Sequence, residues 1–302
     1  MPNHGIGDRV RPIAIIDAPS VLGLFPRGVE QLPDALHRAG LCDEVIAAER
    51  RSLTPPAYAP DRDPITGIKN ATAIVEFAVA LAATVTDAID HGHFPLVLGG
   101  DCSIVFGPLL ALAQRGKSGL LFLDGHADFA HPADEPSGEA ASMDLSLATG
   151  RGPSTFGPIG GKQPLITDDR VAVLGYRVHG DGTDTCRGTH IDDTPITAID
   201  LDELRRRGLR RSIDDALAVV ARHDIDGFWI HIDADVLHDD LMPAVDYRNP
   251  DGLTWAQLTT IVQTALATGR ARGIDLAIFN PTLDPDGSLA QRLVKFLADC
   301  LR

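Results

Sequence analysis

The sequence predicts an α/β protein in which a parallel sheet carries helices on both faces. Three observations predict it. Apolar runs at 94–98, 119–123 and 227–232 have the composition of strands buried on both faces. Strand-like runs alternate with stretches of helical period along the whole chain, the pattern of parallel strands joined by crossover helices. Each of the three runs ends in acids, His or Cys, and the sites of open α/β sheets lie at the carboxyl ends of their strands. No break in composition and no internal repeat divides the chain, so residues 1–302 read as one domain.

The elements follow in order. Residues 11–16 read as a first strand ending at Asp17-Ala18-Pro19-Ser20. From Val29 to Ala39, Leu32, Ala35, Leu36 and Ala39 recur at helical spacing. The stretch from Ser52 to Lys69 is rich in Pro and Asp without periodicity and reads as a surface loop. Asn70 is the expected N-cap of a long helix reaching His91. Strand 94–98, a helix from Ile104 to Gln114 and strand 119–123 come next.

From Phe129 to Ser142 the chain is polar, with Pro132, Pro136 and Gly138, and reads as a loop over the site. A short helix, Met143 to Ala148, a Gly/Pro-rich connection from Gly150 to Thr167 and a strand at 170–175 follow. Asp200 caps a short helix, and Ser212 begins another that ends near His223. Beyond strand 227–232 lie a long irregular segment, 236–253, and a helix from the Thr254 cap to about Thr268. Ala271 to Phe279 reads as the last strand and Gly287 to Leu301 as the terminal helix.

Composition narrows the function. With 302 residues, 44% of them hydrophobic, the chain has ample material for a large core. No segment approaches about 18 consecutive apolar residues, which argues against a transmembrane helix. Met1 to Asp8 lack the basic and apolar regions of a secretory signal. Cys42, Cys102, Cys186 and Cys300 are too scattered for a disulfide framework or a metal knuckle, so a reducing cytoplasm is the expected setting. A net charge of −15 argues against nucleic acid and is compatible with a cationic small molecule or a divalent metal.

The chemistry is concentrated at the strand ends. Asp124-Gly125-His126-Ala127-Asp128 places ligand residues two apart at the end of one strand, where extended backbone points them the same way. Asp233-Ala234-Asp235 does the same after a second strand, and Gly99-Gly100-Asp101-Cys102-Ser103 follows a third. Either acidic motif alone is modest evidence, because such residues also cap helices and populate loops. Together they imply carboxylates crowded at one site, a costly arrangement that divalent cations offset. A mixed carboxylate and imidazole set suits Mn²⁺ best and also admits Zn²⁺, Fe²⁺ or Co²⁺. Carboxylates shared between two ions would make a centre that activates a bridging water.

These motifs, with Ser137-Gly138 before Met143 and Asn280-Pro281 after the last strand, resemble the ureohydrolase superfamily of arginase, agmatinase, guanidinobutyrase and formimidoylglutamase. The resemblance spans roughly residues 11 to 301. It implies a three-layer α/β/α sandwich around a mainly parallel, about eight-stranded sheet, and hydrolysis of a C–N bond at a guanidinium or formimidoyl carbon with two Mn²⁺ ions. By matching positions, Asp124 and Asp233 would bridge the ions, Asp128 and Cys102 would complete one site, and His126 and Asp235 the other. Asp128 would also accept a hydrogen bond from the bridging hydroxide and carry its proton to the leaving amine. A cytoplasmic homo-oligomer, a trimer or hexamer, is expected by resemblance alone.

The chain departs from the pattern at several positions. Cys102 stands where the family has a metal-binding His, and reads either as a thiolate ligand or as a small buried residue beside a weakened site. Ala141 replaces a proton-transferring His of the lid loop, and Ile278 replaces the Glu that grips the guanidinium. His238-Asp239 replaces an Asp-Pro, and Ala130 and Glu139 replace Asn residues that hold a substrate carboxylate. Losing the Glu removes a charge-assisted contact to a planar cation, so arginine is not the expected substrate.

Ser137 and Glu139 are the candidate substrate contacts, and Glu135 is a further acid in the loop; solvated acids on a mobile loop are the competing reading. His131 and His238 read as surface residues as readily as site residues. Cys186 and Ser103 lack the surroundings of a nucleophile. The expected function is a metal-dependent hydrolase of a small guanidino, amidino, hydroxyguanidino or formimidoyl compound. The alternatives are a non-catalytic relative with a binding or regulatory role, or a one-metal hydrolase using Asp124, His126 and Asp235.

Overall fold

The structure, a computed structural model, describes residues 12–153, 158–178 and 184–302. Arg11 of the expected first strand, and Met1 to Asp8, lie outside the described residues. The chain begins with β1 (Ile13–Ala18), α1 (Leu32–Arg38), α2 (Leu41–Glu44), β2 (Ala47–Ser52) and α3 (Ala71–Asp90). It continues through β3 (Phe94–Gly99), α4 (Phe106–Ala113), β4 (Ser118–Leu123), α5 (Asp144–Ala148) and β5 (Val171–Leu174). A small antiparallel hairpin, β6 (Thr185–Cys186) and β7 (Thr189–His190), precedes β8 (Thr197–Ile199), α6 (Leu201–Arg207) and α7 (Leu209–Val220). The last elements are β9 (Gly227–Asp233), α8 (Trp255–Ala267), β10 (Ala271–Ala277) and α9 (Ser288–Leu301).

Eight strands form one sheet in the order β2-β1-β3-β10-β9-β4-β5-β8, and every neighbouring pair is parallel. The central strands β3, β4 and β9 are buried along their whole length, as their apolar composition requires. One helix group, α3, α4 and α5, packs on one another and on β1, β3 and β4; a second, α1, α2, α8 and α9, is extended by α7 against β4, β5 and β8. The two groups meet through the sheet, which gives the three-layer α/β/α sandwich. By length and composition α3 is apolar enough to cross a membrane; here its Ile74, Phe77, Leu81 and Val85 are buried in the core.

The elements missed by periodicity are short or charged. The edge strand β2, Ala-Ala-Glu-Arg-Arg-Ser, alternates half-buried and exposed residues and carries three charges, so no apolar run marks it. At the opposite edge β8 has only three residues. Asp200 caps α6 through a bond from Glu203 N, and Thr254 with Gln257 forms a capping box on α8, both as expected. Asn70 makes no such cap. Its backbone is left-handed (φ 54°), and its side chain accepts from Ala59 N and donates to Leu22 O, tying two loops to the start of α3. The helix expected from Ser212 begins at Leu209, and the one expected over 29–39 is a short 3-10 turn followed by α1.

The turn after β3 admits no side chain. A Cβ on Gly100 would lie 1.7 Å from the Ser20 carbonyl oxygen, and the Gly100 carbonyl accepts from Ile278 N at 2.7 Å. This contact locks the ends of β3 and β10 together beside the acidic cluster. Gly100→Ala is expected to destabilise the fold by about 1–3 kcal/mol through overpacking, read as a lower denaturant midpoint; an unchanged midpoint would contradict the contact.

Candidate metal centre

Strand geometry delivers the acidic residues as the two-residue spacing requires. β4 and β9 are hydrogen-bonded neighbours with Phe122 opposite His231, so Asp124 and Asp233 emerge side by side at their carboxyl ends. Each first acid is held by the backbone two residues on: His126 N donates to Asp124 Oδ1 at 2.6 Å, and Asp235 N donates to Asp233 Oδ1 at 2.7 Å. Asp235 Oδ1 accepts from Gly125 N at 2.9 Å, and Asp235 Oδ2 lies 2.9 Å from His126 Nδ1. Cys102 Sγ donates to Asp233 Oδ2 at 3.0 Å. All six residues expected to meet at one site are therefore together.

Two sets of donor atoms lie within 4.8 Å of one another and share Asp124: Cys102 with Asp124 and Asp128, and Asp124 with His126 and Asp235. Asp233 joins the first set through Cys102 and the second through the Asp235 backbone. Asp124 Oδ2 is buried without a hydrogen-bond partner among the described residues.

The electrostatics follow from this crowding. Burial, then Asp235, raises Asp124 to about 6. Burial and neighbouring carboxylates push Asp128 and Asp233 well above the usual carboxylate range. Burial lifts the Cys102 thiol, and Asp233 adds to the effect. His126 behaves oppositely: burial would lower it, but Asp235 and Asp124 hold it at about 9. For Asp235 burial acts upward, and His126 and Arg177 overcome it, so it stays below its ordinary value.

A cleft of about 250 Å³ opens over the cluster. His126, Asp128, Asp233 and Asp235 form part of its lining, with Glu135, Ser137, Glu139, Asp246, Tyr247 and Ile278 around them. Two lining or floor residues have backbone in the left-handed region, Asp128 (φ 45°) and Ile278 (φ 69°), and for a β-branched residue this is a strained conformation.

Glu139 is not a solvated loop acid. It is buried, paired with Lys69 at 3.1 Å, and accepts from the Tyr247 hydroxyl at 3.0 Å. The loop that carries it is pinned by Arg62, which donates to the carbonyls of Pro132 and Pro136. His131 is buried as well, receiving Arg187 Nε at 2.9 Å, and is a loop brace rather than a surface residue. His238 is half-buried beside Asp239, away from the cleft lining.

Lys69, Asp144, Arg177, Asp246 and Tyr247 were not singled out by pattern. Arg177 donates to the backbone carbonyls of Asp235 and Asn249 and braces the second acidic turn. Each is a single charged or aromatic residue in an irregular segment or at a helix start, with no spacing to mark it. Only Tyr247 and Asp246, adjacent in 236–253 and close to the Asp-x-Asp motif, offered a positional hint.

Paired acidic turns at the carboxyl ends of adjacent strands, in a three-layer α/β/α sandwich, define a candidate divalent-metal centre of the ureohydrolase kind. The Arginase family profile matches residues 11–301, and the chain belongs to that family. It is 28% identical over 295 residues to an arginase of Bacillus caldovelox, covering 95% of this chain and 97% of the relative. An arginase of Staphylococcus aureus strain COL is 25% identical over 297 residues, with 96% of both chains covered. The solved structure of the Bacillus caldovelox arginase superposes with a TM-score of 0.86 at 26% identity, over 96% of this chain and 98% of that one.

The raised groups set the pH response of the metal-free protein. Asp124 binds its proton more tightly when folded, so its contribution is present below the ordinary carboxylate value and is lost as pH rises through about 6. His126, also raised, contributes below the ordinary imidazole value and loses that contribution as pH rises through about 9. The melting temperature of metal-stripped protein is therefore expected to fall across this range. The stabilisation by added Mn²⁺ should grow over the same range, because bound metal takes the place of protons. A Mn²⁺ shift independent of pH would contradict the assignment.

Proposed function

We propose that this chain is a divalent-metal-dependent hydrolase that cleaves a non-peptide C–N bond in a small cationic guanidino or amidino compound other than arginine. The observation that carries the reading is the convergence of Cys102, Asp124, His126, Asp128, Asp233 and Asp235 beneath an acid-lined cleft. The donor set fits a pair of ions such as Mn²⁺. An orphaned buried Asp124 oxygen and several carboxylates held above their usual range make a site that gains from positive charge.

Asp124 and Asp233 would be shared between the ions, with Cys102 and Asp128 on one side and His126 and Asp235 on the other. When bound, the ions supply Lewis acidity and a water of lowered pKa. Asp128, buried in the cleft floor and shifted upward, is suited to hold a proton and return it to the leaving amine. The family of membership and arginase relatives support the reaction class.

Substrate choice follows from the cleft wall. Ile278 presents an apolar side chain where the family resemblance implies a guanidinium-binding Glu. The charge is supplied elsewhere: Asp246 lines the same cleft, and its Oδ2 is buried without a partner among the described residues. Asp246 accepts from Asn280 Nδ2 at 2.9 Å through its other oxygen, which holds the free one in place. Asp246 is therefore the residue assigned to the substrate cation, and Glu139, already neutralised by Lys69, shapes the wall with Ser137 and Tyr247.

The competing reading, a non-catalytic relative, is favoured by the replacements at Cys102, Ala141 and Ile278. Metal-stripped protein reloaded with Mn²⁺ and assayed for urea or ammonia release across guanidino, amidino, hydroxyguanidino and formimidoyl compounds separates the two. Turnover of at least one compound, with two ions in the carboxylate cluster, is expected; silence across the panel with one ion or none would establish the non-catalytic relative. Asp128→Asn should lower kcat by about 10²–10⁴-fold with little effect on KM. Asp246→Asn should chiefly raise KM, and a KM left unchanged would remove Asp246 from the binding wall.

A further inference from the structure

Below the carboxylate cluster lie two side chains that the proposed reaction does not use. His231 comes from β9 and Asp144 from the first turn of α5, and with Cys102 they bring nitrogen, carboxylate oxygen and sulfur within 4.8 Å of one another. All three residues are 0% exposed.

The His231 ring is fixed on two sides. Its Nδ1 lies 2.5 Å from Asp275 Oδ2, and Asp275 also accepts from Trp229 Nε1. One face stacks on Phe122 with centroids 4.6 Å apart. With Nδ1–H donated to Asp275, Nε2 is the free ring nitrogen, and it has no hydrogen-bond partner among the described residues. Neither carboxylate oxygen of Asp144 has one.

Neither Asp144 nor His231 Nε2 reaches a hydrogen-bond partner among the described residues. A charged Asp144 is a buried anion without a donor, and a protonated one has an O–H without an acceptor. A neutral His231 leaves a buried lone pair, and an imidazolium leaves a buried N–H. A cation between the three atoms gives His231 Nε2 and one Asp144 oxygen the partner they lack. The donor set also selects the ion: one thiolate, one imidazole and one carboxylate are the mixture that tetrahedral Zn²⁺ accepts. Asp275 is then the outer partner that fixes the tautomer and orientation of a ligating imidazole.

We infer that Cys102 Sγ, Asp144 and His231 Nε2 form an additional cation site, suited to Zn²⁺, in the floor beneath the carboxylate pair. Three protein donors leave a fourth position for water or for an oxygen of the neighbouring cluster. Binding releases the Cys102 thiol proton, now shared with Asp233, and any proton on Asp144 or His231 Nε2. The site rests on the proposed function only through the shared sulfur, since Cys102 also borders Asp124 and Asp128. The same sulfur would then serve both this ion and the upper site that it borders.

The test uses full-length, metal-stripped protein loaded with one equivalent of Zn²⁺ and examined by X-ray absorption. A sulfur at about 2.3 Å and an imidazole nitrogen on the same ion are expected. His126 groups with Asp124 and Asp235 and not with Cys102, and the exposed sulfur–imidazole pair of Cys42 and His37, 3.6 Å apart, is removed by using protein that carries Cys42→Ser. Asp144→Asn and His231→Gln, checked for folding by circular dichroism, should each weaken Zn²⁺ binding at least about ten-fold. Glu76→Gln, at an exposed position of α3, should leave it unchanged. A sulfur without imidazole would overturn this site while leaving Cys102 in the carboxylate centre and the proposed reaction intact. A shell of oxygen alone, or unchanged affinity in both variants, would also overturn it. Failure of both Zn²⁺ and Mn²⁺ to bind anywhere would remove this site and the proposed function together.

Discussion

Mutual repulsion among buried carboxylates is the constraint on which this architecture turns. Asp124, Asp128, Asp233 and Asp235 are all nearly inaccessible to water, and the sheet gives them no freedom to separate. β4 and β9 are neighbours, and each first acid is clamped by the amide two residues on. The chain spends its hydrogen-bonding capacity on orienting these groups and offsets little of their charge, chiefly through His126, which faces Asp235 and Asp124, and through Arg177 beside Asp235. Such a constellation is stable when protons or cations are bound, and it is the physical reason that the site and the pH response are one property.

The surroundings hold that cluster and the cleft above it in place. Gly100 lets β3 and β10 close on the Ser20 turn, and Arg62 and Lys69 hold the loop that carries Glu139. Asp128 and Ile278 sit in left-handed backbone at the cleft, a strain tolerated because neighbouring hydrogen bonds over-determine it: Ile278 N to Gly100 O, and Leu145 N to Asp128 O. The apolar wall at Ile278 and the free acid at Asp246 then separate this cleft from one built to grip a guanidinium through residue 278.

A related exchange runs through the floor. Cys102 stands at the position of an imidazole in the family pattern, yet an imidazole is present in the structure, two residues before Asp233 on β9. His231 and Asp144 are unremarked in the sequence, and their relation to Cys102 arises from contact between β9, α5 and the turn after β3.

Much of this was legible in the chain. The apolar runs of β3, β4 and β9, the helical periods between them, and the acids at their ends determined the α/β class, the parallel sheet and the place of the acidic cluster, because strand periodicity alone points residues two apart the same way. The caps at Asp200 and Thr254 were equally local and equally readable. The edge strands β2 and β8 were not, since one is charged and the other has three residues, and only pairing with β1 and β5 makes them strands. For Glu139 and His131 the sequence left open whether they face solvent or the site, and Lys69, Tyr247 and Arg187, all distant in sequence, pair with them in the fold. The sequence by itself determined which residues could carry charge at the strand ends. Tertiary structure alone decided which of them are buried, what each touches, that Asp246 lines the cleft and that Asp144 and His231 meet Cys102, because those relations are contacts between segments that no local spacing encodes.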